Sequence, residues 1–397
     1  MMDIVRTSIR QLALQYKSQI IEMRRYLHAH PELSGEEFHT ADFVAGQLTR
    51  EGIPFEKNIG GSGIVAYIYG QSPEKKLVAL RADMDALNIT EATNLPFSSQ
   101  NPGIMHACGH DFHTANLLGT ALILNNLKRY FTGTVMLIFQ PSEEKIPSGA
   151  ERMLQAGIFD ENKPIAVLGL HVDPEISVGK IGTRKGAFLA SADELFITIH
   201  GKGGHGAYPQ HCIDPIVISA QIILSLQTII SRNANPLNPT VINIGRIEGL
   251  GQTNVIPDEV KLAGTIRVFD NEWRGKTHQK IVEIVENSAK AYGTTATVEI
   301  KRGYPPLVND EKLTENCINE LTFLFGENSI IESSMRMGAD DFSYFAQKTS
   351  ATYFRLGVRN ETKGIVSSLH SNTFDLDEDA FDIGMTALAY LAISLLQ

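Results

Sequence analysis

The chain has 397 residues, 43% hydrophobic and 20% charged, which suggests two domains with ample core and excludes a mainly disordered protein. Lysine plus arginine number 35 against 45 acids, and the net charge of −10 argues against a nucleic-acid partner, which needs a basic face. Three scattered cysteines, Cys108, Cys212 and Cys317, exclude a disulfide framework and fit a reducing compartment.

At the N-terminus, Asp3, Arg6 and Arg10 occupy the stretch where a signal peptide needs apolar residues. Val5, Ile9, Leu12, Tyr16, Ile20, Met23 and Leu27 recur at steps of three and four, which predicts a long amphipathic helix. Pro31 and Gly35 end it, and a second helix is expected through Phe38, Phe43, Val44 and Leu48. Short β-rich runs follow at 64–69 and 77–82, then a helix at about 114–129. The runs 134–139 and 165–170 are almost continuously apolar, as in strands buried on both faces. This alternation predicts an α/β domain with a mostly parallel sheet flanked by helices.

From about residue 184 the pattern changes. A strand at 194–200, a helix at 213–231, strands at 240–247 and 260–269, a helix at 272–291 and a strand at 294–301 make β-α-β-β-α-β. That is the order of an inserted ferredoxin-like α+β domain. The most apolar stretch, 215–230, is interrupted by Ser219, Gln221, Ser225 and Gln227, so no membrane span is expected. Helix 313–325, strand 352–356 and helix 381–395 complete the chain. Residues 1–183 and 303–397 are therefore expected to form one domain, interrupted by a second at 184–302. The expected setting is cytoplasmic.

Chemistry collects where the strands of the first domain end. One runs into Asp83-Met84-Asp85, one into Gln140-Pro141-Ser142-Glu143-Glu144, and one into His171. Ligands of open α/β sheets bind at the carboxyl ends of strands. One acid there is commonly a solvated turn, but three such ends in succession point to a metal or catalytic site. Three histidines and a cysteine fall within Met105–His113, and Cys108 and His110 flank a glycine. A thiolate and an imidazole so spaced can reach one metal or each of two neighbouring metals. Asp111 is readable as a helix N-cap, and His106 and His113 as supporting or structural groups. In the Glu143–Glu144 pair one acid can ligate a cation while the other takes a proton from water. His205 lies in a glycine-rich loop, Gly201–Ala207, and His370 in Ser368-Leu369-His370-Ser371.

These motifs resemble the aminohydrolase branch of the aminoacylase-like dinuclear metallopeptidases, which includes hippuricase, the auxin-conjugate amidohydrolases and N-acetyl-diaminopimelate deacetylase. The resemblance runs from Arg24–Pro31 to Leu369-His370-Ser371. Its most specific stretches are Arg81–Leu87, Met105–His113 and Phe139–Glu144, joined by Gly169–Val172, Gly203–Ala207 and Asn254–Pro257. It implies that Cys108, His110, Glu144, His171 and His370 hold two divalent metals, with Glu143 as general base and Asp85 supporting the site. It also implies that His205 stabilises the oxyanion in a partner subunit, and that the inserted domain is a lid through which the chain forms a homodimer or larger oligomer. The expected reaction is hydrolysis of the acyl amide of a small N-acyl amino acid. A short-peptide metallopeptidase is the alternative; a cysteine hydrolase using Cys108 and a non-catalytic binding protein are rivals. Zinc suits a cysteine ligand, while manganese, nickel or cobalt suit the carboxylate and histidines. Asn254 and Arg267 are candidates to hold a substrate carboxylate. Lys145-Ile146-Pro147-Ser148 after the paired glutamates, Gly338-Ala339-Asp340-Asp341-Phe342 and Asn88 depart from the family pattern and bear on substrate identity.

Overall fold

The structure, a computed structural model, describes residues Met2–Gln397. The chain forms two compact units. The first comprises Met1–Gly186, Val308–Ser334 and Tyr344–Gln397; the second comprises Ala187–Leu307 and Met335–Ser343.

The first unit is built on an eight-stranded sheet. Its strands lie in the order Phe55–Ile59, Gly63–Tyr69, Thr134–Gln140, Leu77–Asp83, Ala166–Ser177, Ala351–Arg359, Ile181–Thr183 and Ile330–Glu332. Pairing through the centre, from Thr134–Gln140 to Ala351–Arg359, is parallel. All of Thr134–Gln140 is buried, which is why its sequence between Thr134 and Gln140 is apolar throughout. Helices Met2–Ala29, His110–Leu127 and Ala380–Leu396 pack on one another beside this sheet. Of the expected stripe of the first helix, Val5, Ile9, Ile20, Met23 and Leu27 are buried and Leu12 and Tyr16 are half-buried against the core, with Ala13 buried beside them.

Helix His110–Leu127 buries 16 of its 18 residues, so it is a core helix with no polar face of its own. It starts four residues before the expected Thr114. Gly109, in the left-handed conformation at φ 86°, is its N-cap, and Asp111 turns inward rather than capping. The strand expected to stop at residue 170 continues to Ser177. Its parallel neighbour holds it there, pairing Arg355 with His171 and Gly357 with Asp173. His171 therefore lies within a strand and not beyond its end.

The second unit carries a four-stranded antiparallel sheet in the order Thr240–Glu248, Glu259–Val268, Asp193–His200, Ala296–Arg302. With helices Pro215–Thr228 and Asn271–Ala291 packed together on it, this is the ferredoxin-like arrangement. Asp214 caps the first of these helices through Ile216 N–H at 2.9 Å. Pro215–Asn233 is long and apolar enough, by length and composition, to cross a membrane, contrary to the expectation from its interrupting polar residues. Its inner face, with Ile218, Ile222, Leu226 and Ile229, belongs to the core of this unit. Ile216, Val217 and Leu224 are exposed on its outer face.

Candidate metal centre

The turn that opens helix His110–Leu127 presents Cys108 and His110, and Gly109 between them makes that possible. A Cβ at Gly109 would lie 2.5 Å from Val172 Cγ2, and its φ of 86° disfavours any other residue. The turn therefore passes close over the strand that carries His171. Cys108 Sγ sits 3.5 Å from His171 Nε2 and 3.3 Å from His370 Nε2. His370 Nε2 also lies 3.3 Å from Glu144 Oε1.

These contacts define overlapping groups of donors, each with its atoms within 4.8 Å of one another. Cys108, His110 and His171 form one; Cys108, Glu144 and His370 form a second; His110, Glu143 and Glu144 form a third. Cys108, His110 and Glu144 each belong to two of them, so the three groups form one continuous cluster.

The hydrogen bonds set which nitrogen each imidazole offers. His171 Nδ1 donates to Val172 O at 2.7 Å, which leaves the lone pair on Nε2. His110 Nδ1 faces Asp85 Oδ1 at 3.3 Å, and its Nε2 is buried without a hydrogen bond. A histidine whose other nitrogen is held by a carbonyl or carboxylate is the usual form of a metal ligand. Several lone pairs thus face one small volume, where protons between them satisfy only some. This donor set, one sulfur with imidazoles and carboxylates, fits divalent transition metals.

Asp85 organises the cluster without joining it. Its Oδ1 accepts from Glu143 N and its Oδ2 from Glu144 N, both at 3.0 Å, and Ser34 Oγ donates to Oδ2 at 2.6 Å. One buried carboxylate thereby fixes the backbone of both glutamates and the ring of His110. Ser142, next to them, has a φ of 49° and is held by Glu37, which accepts from its N–H at 2.8 Å. Glu37 is fully buried and also accepts from Ser62 Oγ at 2.7 Å. Nothing in the sequence marks Glu37, because a glutamate between helices looks like an ordinary solvated residue.

Asp83 and His113 form a supporting pair. His113 Nε2 accepts from Val172 N–H at 2.9 Å, so Nδ1 carries the proton and donates to Asp83 at 2.6 Å. Although burial opposes ionisation of Asp83, the Arg81 guanidinium with His110 and His113 holds its carboxyl well below the usual range. With Arg81 already balancing the charge, the Asp83–His113 pair is a hydrogen-bonded brace for the strand bearing His171. Asp111 has a similar structural role. Its Oδ2 accepts from Arg24 Nε at 2.7 Å and lies 2.8 Å from His28 Nδ1, all three side chains being buried. His106 is buried with neither ring nitrogen hydrogen-bonded, and burial pushes it down to about 4.

Burial, then the Glu144 charge, pushes the Cys108 thiol up to about 12. A thiol so held is a poor nucleophile at neutral pH, although an adjacent cation would reverse this. Burial holds His171 well below its usual range and hence neutral, as a ligand must be. His370 adopts φ 60° and donates its backbone N–H to Ala107 O at 2.8 Å. That bond ties the loop bearing His370 to the turn bearing Cys108. A left-handed backbone at a non-glycine residue is strained, and such strain is concentrated at functional sites.

The remaining candidates lie in the second unit. His205 is exposed in the short strand Gly204–His205, paired with Val255–Ile256. Its Nδ1 accepts from Ala207 N–H at 3.1 Å, so its Nε2 is the N–H donor. Asn254 adjoins this hairpin, its carbonyl accepting from Gly206 N–H at 2.8 Å. Arg267 is not brought to them. Strand pairing sets Glu259 opposite His200, near the His205 loop, and Arg267 lies eight residues further along the same strand. At ~3.4 Å per residue that is about 27 Å away.

Residues 79–394 match the Peptidase family M20/M25/M40. The chain is 40% identical to thermostable carboxypeptidase 1 of Saccharolobus solfataricus, over 99% of each chain. It is 39% identical to N-acetyl-L-cysteine deacetylase of Bacillus subtilis, over 92% of this chain and 85% of that one. A Bacillus subtilis structure described as a dinuclear metal-binding peptidase of family M20 superposes with a TM-score of 0.83 at 35% identity, covering 96% of this chain and 99% of that one. The chain belongs to the M20 peptidase family and is a hydrolase.

Proposed function

We propose that this hydrolase cleaves the acyl amide of small N-acyl amino acids, releasing a carboxylate and a free amino acid, with two divalent metals held by Cys108, His110, Glu144, His171 and His370. The observation that carries this reading is that two adjacent glutamates share one partner and differ in the others. Both group with His110, but only Glu144 also groups with Cys108 and His370, while Glu143 is 6% exposed. A purely structural metal site has no use for a second buried acid at its edge. When bound, the metals would polarise the scissile carbonyl and lower the pKa of water.

The chain's own groups supply the rest. Glu143 takes the proton of the attacking water and delivers it to the leaving amine, so one carboxyl acts as base and then acid. Asp85 keeps Glu143 in place through its backbone N–H. His205, with Nε2 as donor, hydrogen-bonds the tetrahedral oxyanion of a partner subunit's substrate. The second unit thus serves as lid and dimer contact, and the exposed Ile216, Val217 and Leu224 supply apolar surface for that contact. Asn254, beside His205, is the better-placed candidate for a substrate carboxylate. Three free cysteines and a thiolate ligand fit a reducing, cytoplasmic setting.

A second reading, a carboxypeptidase acting on short peptides, is favoured by the 40% identity to a thermostable carboxypeptidase. A panel of acetyl, benzoyl and succinyl amino acids, set beside dipeptides and run with metal-reconstituted protein, decides between them. The expected result is a kcat/KM for the best acyl amino acid at least about 10-fold above that for any dipeptide, a difference in transition-state binding of about 1.4 kcal/mol. A dipeptide at the head of the panel would establish the carboxypeptidase reading instead.

A further inference from the structure

The turn between the first two helices backs the segment that carries Glu143 and Glu144. Residues 30–37 join helix Met2–Ala29 to helix Phe38–Arg50. Leu33 forms a parallel bridge with Ala86, and Ala86 N–H donates to Glu32 O at 2.8 Å. The turn is thereby fastened beside Asp85, to which Ser34 Oγ donates. Three residues after Ser34, Glu37 reaches Ser142, the residue that precedes the paired glutamates.

Two buried carboxylates divide the holding of this segment. Asp85 accepts from the N–H groups of Glu143 and Glu144, whereas Glu37 holds the residue before them. Glu37 Oε1 accepts from Gly35 N–H and Ser142 N–H, each at 2.8 Å, and from Ser142 Oγ at 3.2 Å. Its Oε2 accepts from Ser62 Oγ. A carboxylate with no exposed surface is costly unless donors surround it, and two of these four donors belong to Ser142. Ser142 lies in the left-handed region, which a side chain disfavours and which persists only where surrounding bonds enforce it. Besides Glu37, Gly149 N–H holds it by donating to Ser142 O at 2.9 Å. A Cβ at Gly149 would lie 1.6 Å from Pro141 O, so only glycine fits where the loop closes. The backbone of Ser142 sets the course of the chain into Glu143, and Glu37 sets Ser142.

We propose that Glu37 is a positioning residue for the general base, holding Ser142 in the conformation from which the Glu143 carboxylate meets the attacking water, and that it acts by reach rather than by charge. Glu37 belongs to none of the metal-donor groups. The proposal rests on the reading of Glu143 as base. Three of the four bonds fall on one oxygen, which the amide of glutamine also offers, and the Ser62 hydroxyl can accept from an amide as well as donate to a carboxylate. Aspartate keeps the charge but is one methylene shorter, so it does not span Gly35, Ser142 and Ser62 together.

The test uses metal-saturated protein and, as substrate, the compound turned over fastest in the panel above. Glu37→Asp should carry wild-type metal and keep KM within about 3-fold, while kcat falls by about 10-fold or more, as misplacement of a reacting group predicts. Glu37→Gln should keep kcat within about 3-fold of wild type. In the Glu143→Gln background, where no base is left to position, Glu37→Asp should cost less than about 3-fold in kcat. Glu143→Gln alone, measured in parallel, separates the two readings. If kcat is lost there but unchanged in Glu37→Asp, this proposal falls and the base reading stands; if kcat is unchanged in Glu143→Gln, both fall. A loss in Glu37→Asp that is equally large in both backgrounds, or a Glu37→Gln variant as slow as Glu37→Asp, would also overturn the proposal. Should Glu37→Asp fail to fold, Glu37→Gln still decides, because a loss of about 10-fold in its kcat contradicts action by reach.

Discussion

Glu143→Gln is expected to retain its metals and to lose about 10²–10⁴ in kcat, the usual contribution of a general acid–base group. The substitution keeps the shape of the side chain and removes only its basicity. Its backbone N–H still bonds Asp85 Oδ1, so the loop geometry is preserved. Glu144→Gln should behave differently, because Glu144 Oε1 lies with Cys108 and His370 in one donor group. Weakened metal binding is expected there, with activity recovering as metal is added. Elemental analysis alongside steady-state kinetics distinguishes the two variants. Metal loss in Glu143→Gln with normal metal in Glu144→Gln would mean that their roles are reversed.

His205→Ala is expected to hold metal normally and to lose about 10²–10³ in kcat, the typical cost of removing one oxyanion donor. His205 lies in the second unit, whereas all five proposed ligands lie in the first. Its Nδ1 is already occupied by Ala207 N–H, which orients Nε2–H outward as a donor. If His205 serves a partner's site, mixing His205→Ala with Glu143→Gln should restore activity. Random exchange at equal amounts makes about half the dimers hybrid, each with one working site, so roughly a quarter of wild-type activity should return. No recovery under conditions of demonstrated exchange would mean that His205 serves its own subunit or takes no catalytic part.

Much of the architecture is legible because local and global signals agree. The almost continuously apolar run 134–139 reads as a strand buried on both faces, and Thr134–Gln140 is one. The β-α-β-β-α-β order of the second unit is likewise readable from period alone. What the sequence hides is tertiary. Period reading stops the strand at residue 170, because His171 and Asp173 break the apolar run, yet pairing with Ala351–Arg359 carries it to Ser177. Asp111 has the composition of an N-cap, but a buried arginine, Arg24, 87 residues earlier in the chain claims it. The candidate ligands are recognisable as residue types near strand ends, whereas the braces are not. Glu37, Ser34 and the His113–Asp83 pair acquire their roles only through contacts across the fold. For Arg267, register fixes only its place on strand Glu259–Val268, eight residues beyond Glu259.

The central claim is that Cys108, His110, Glu144, His171 and His370 form one dinuclear site on which activity depends. Elemental analysis of purified protein after saturation with zinc or manganese and removal of free metal tests it most directly, with Cys108→Ser and His370→Ala measured in parallel. The wild type should carry about two divalent ions per chain, and each variant, which removes a donor from a shared group, should carry fewer and lose activity in step. Metal content and activity unchanged in both variants would contradict the account.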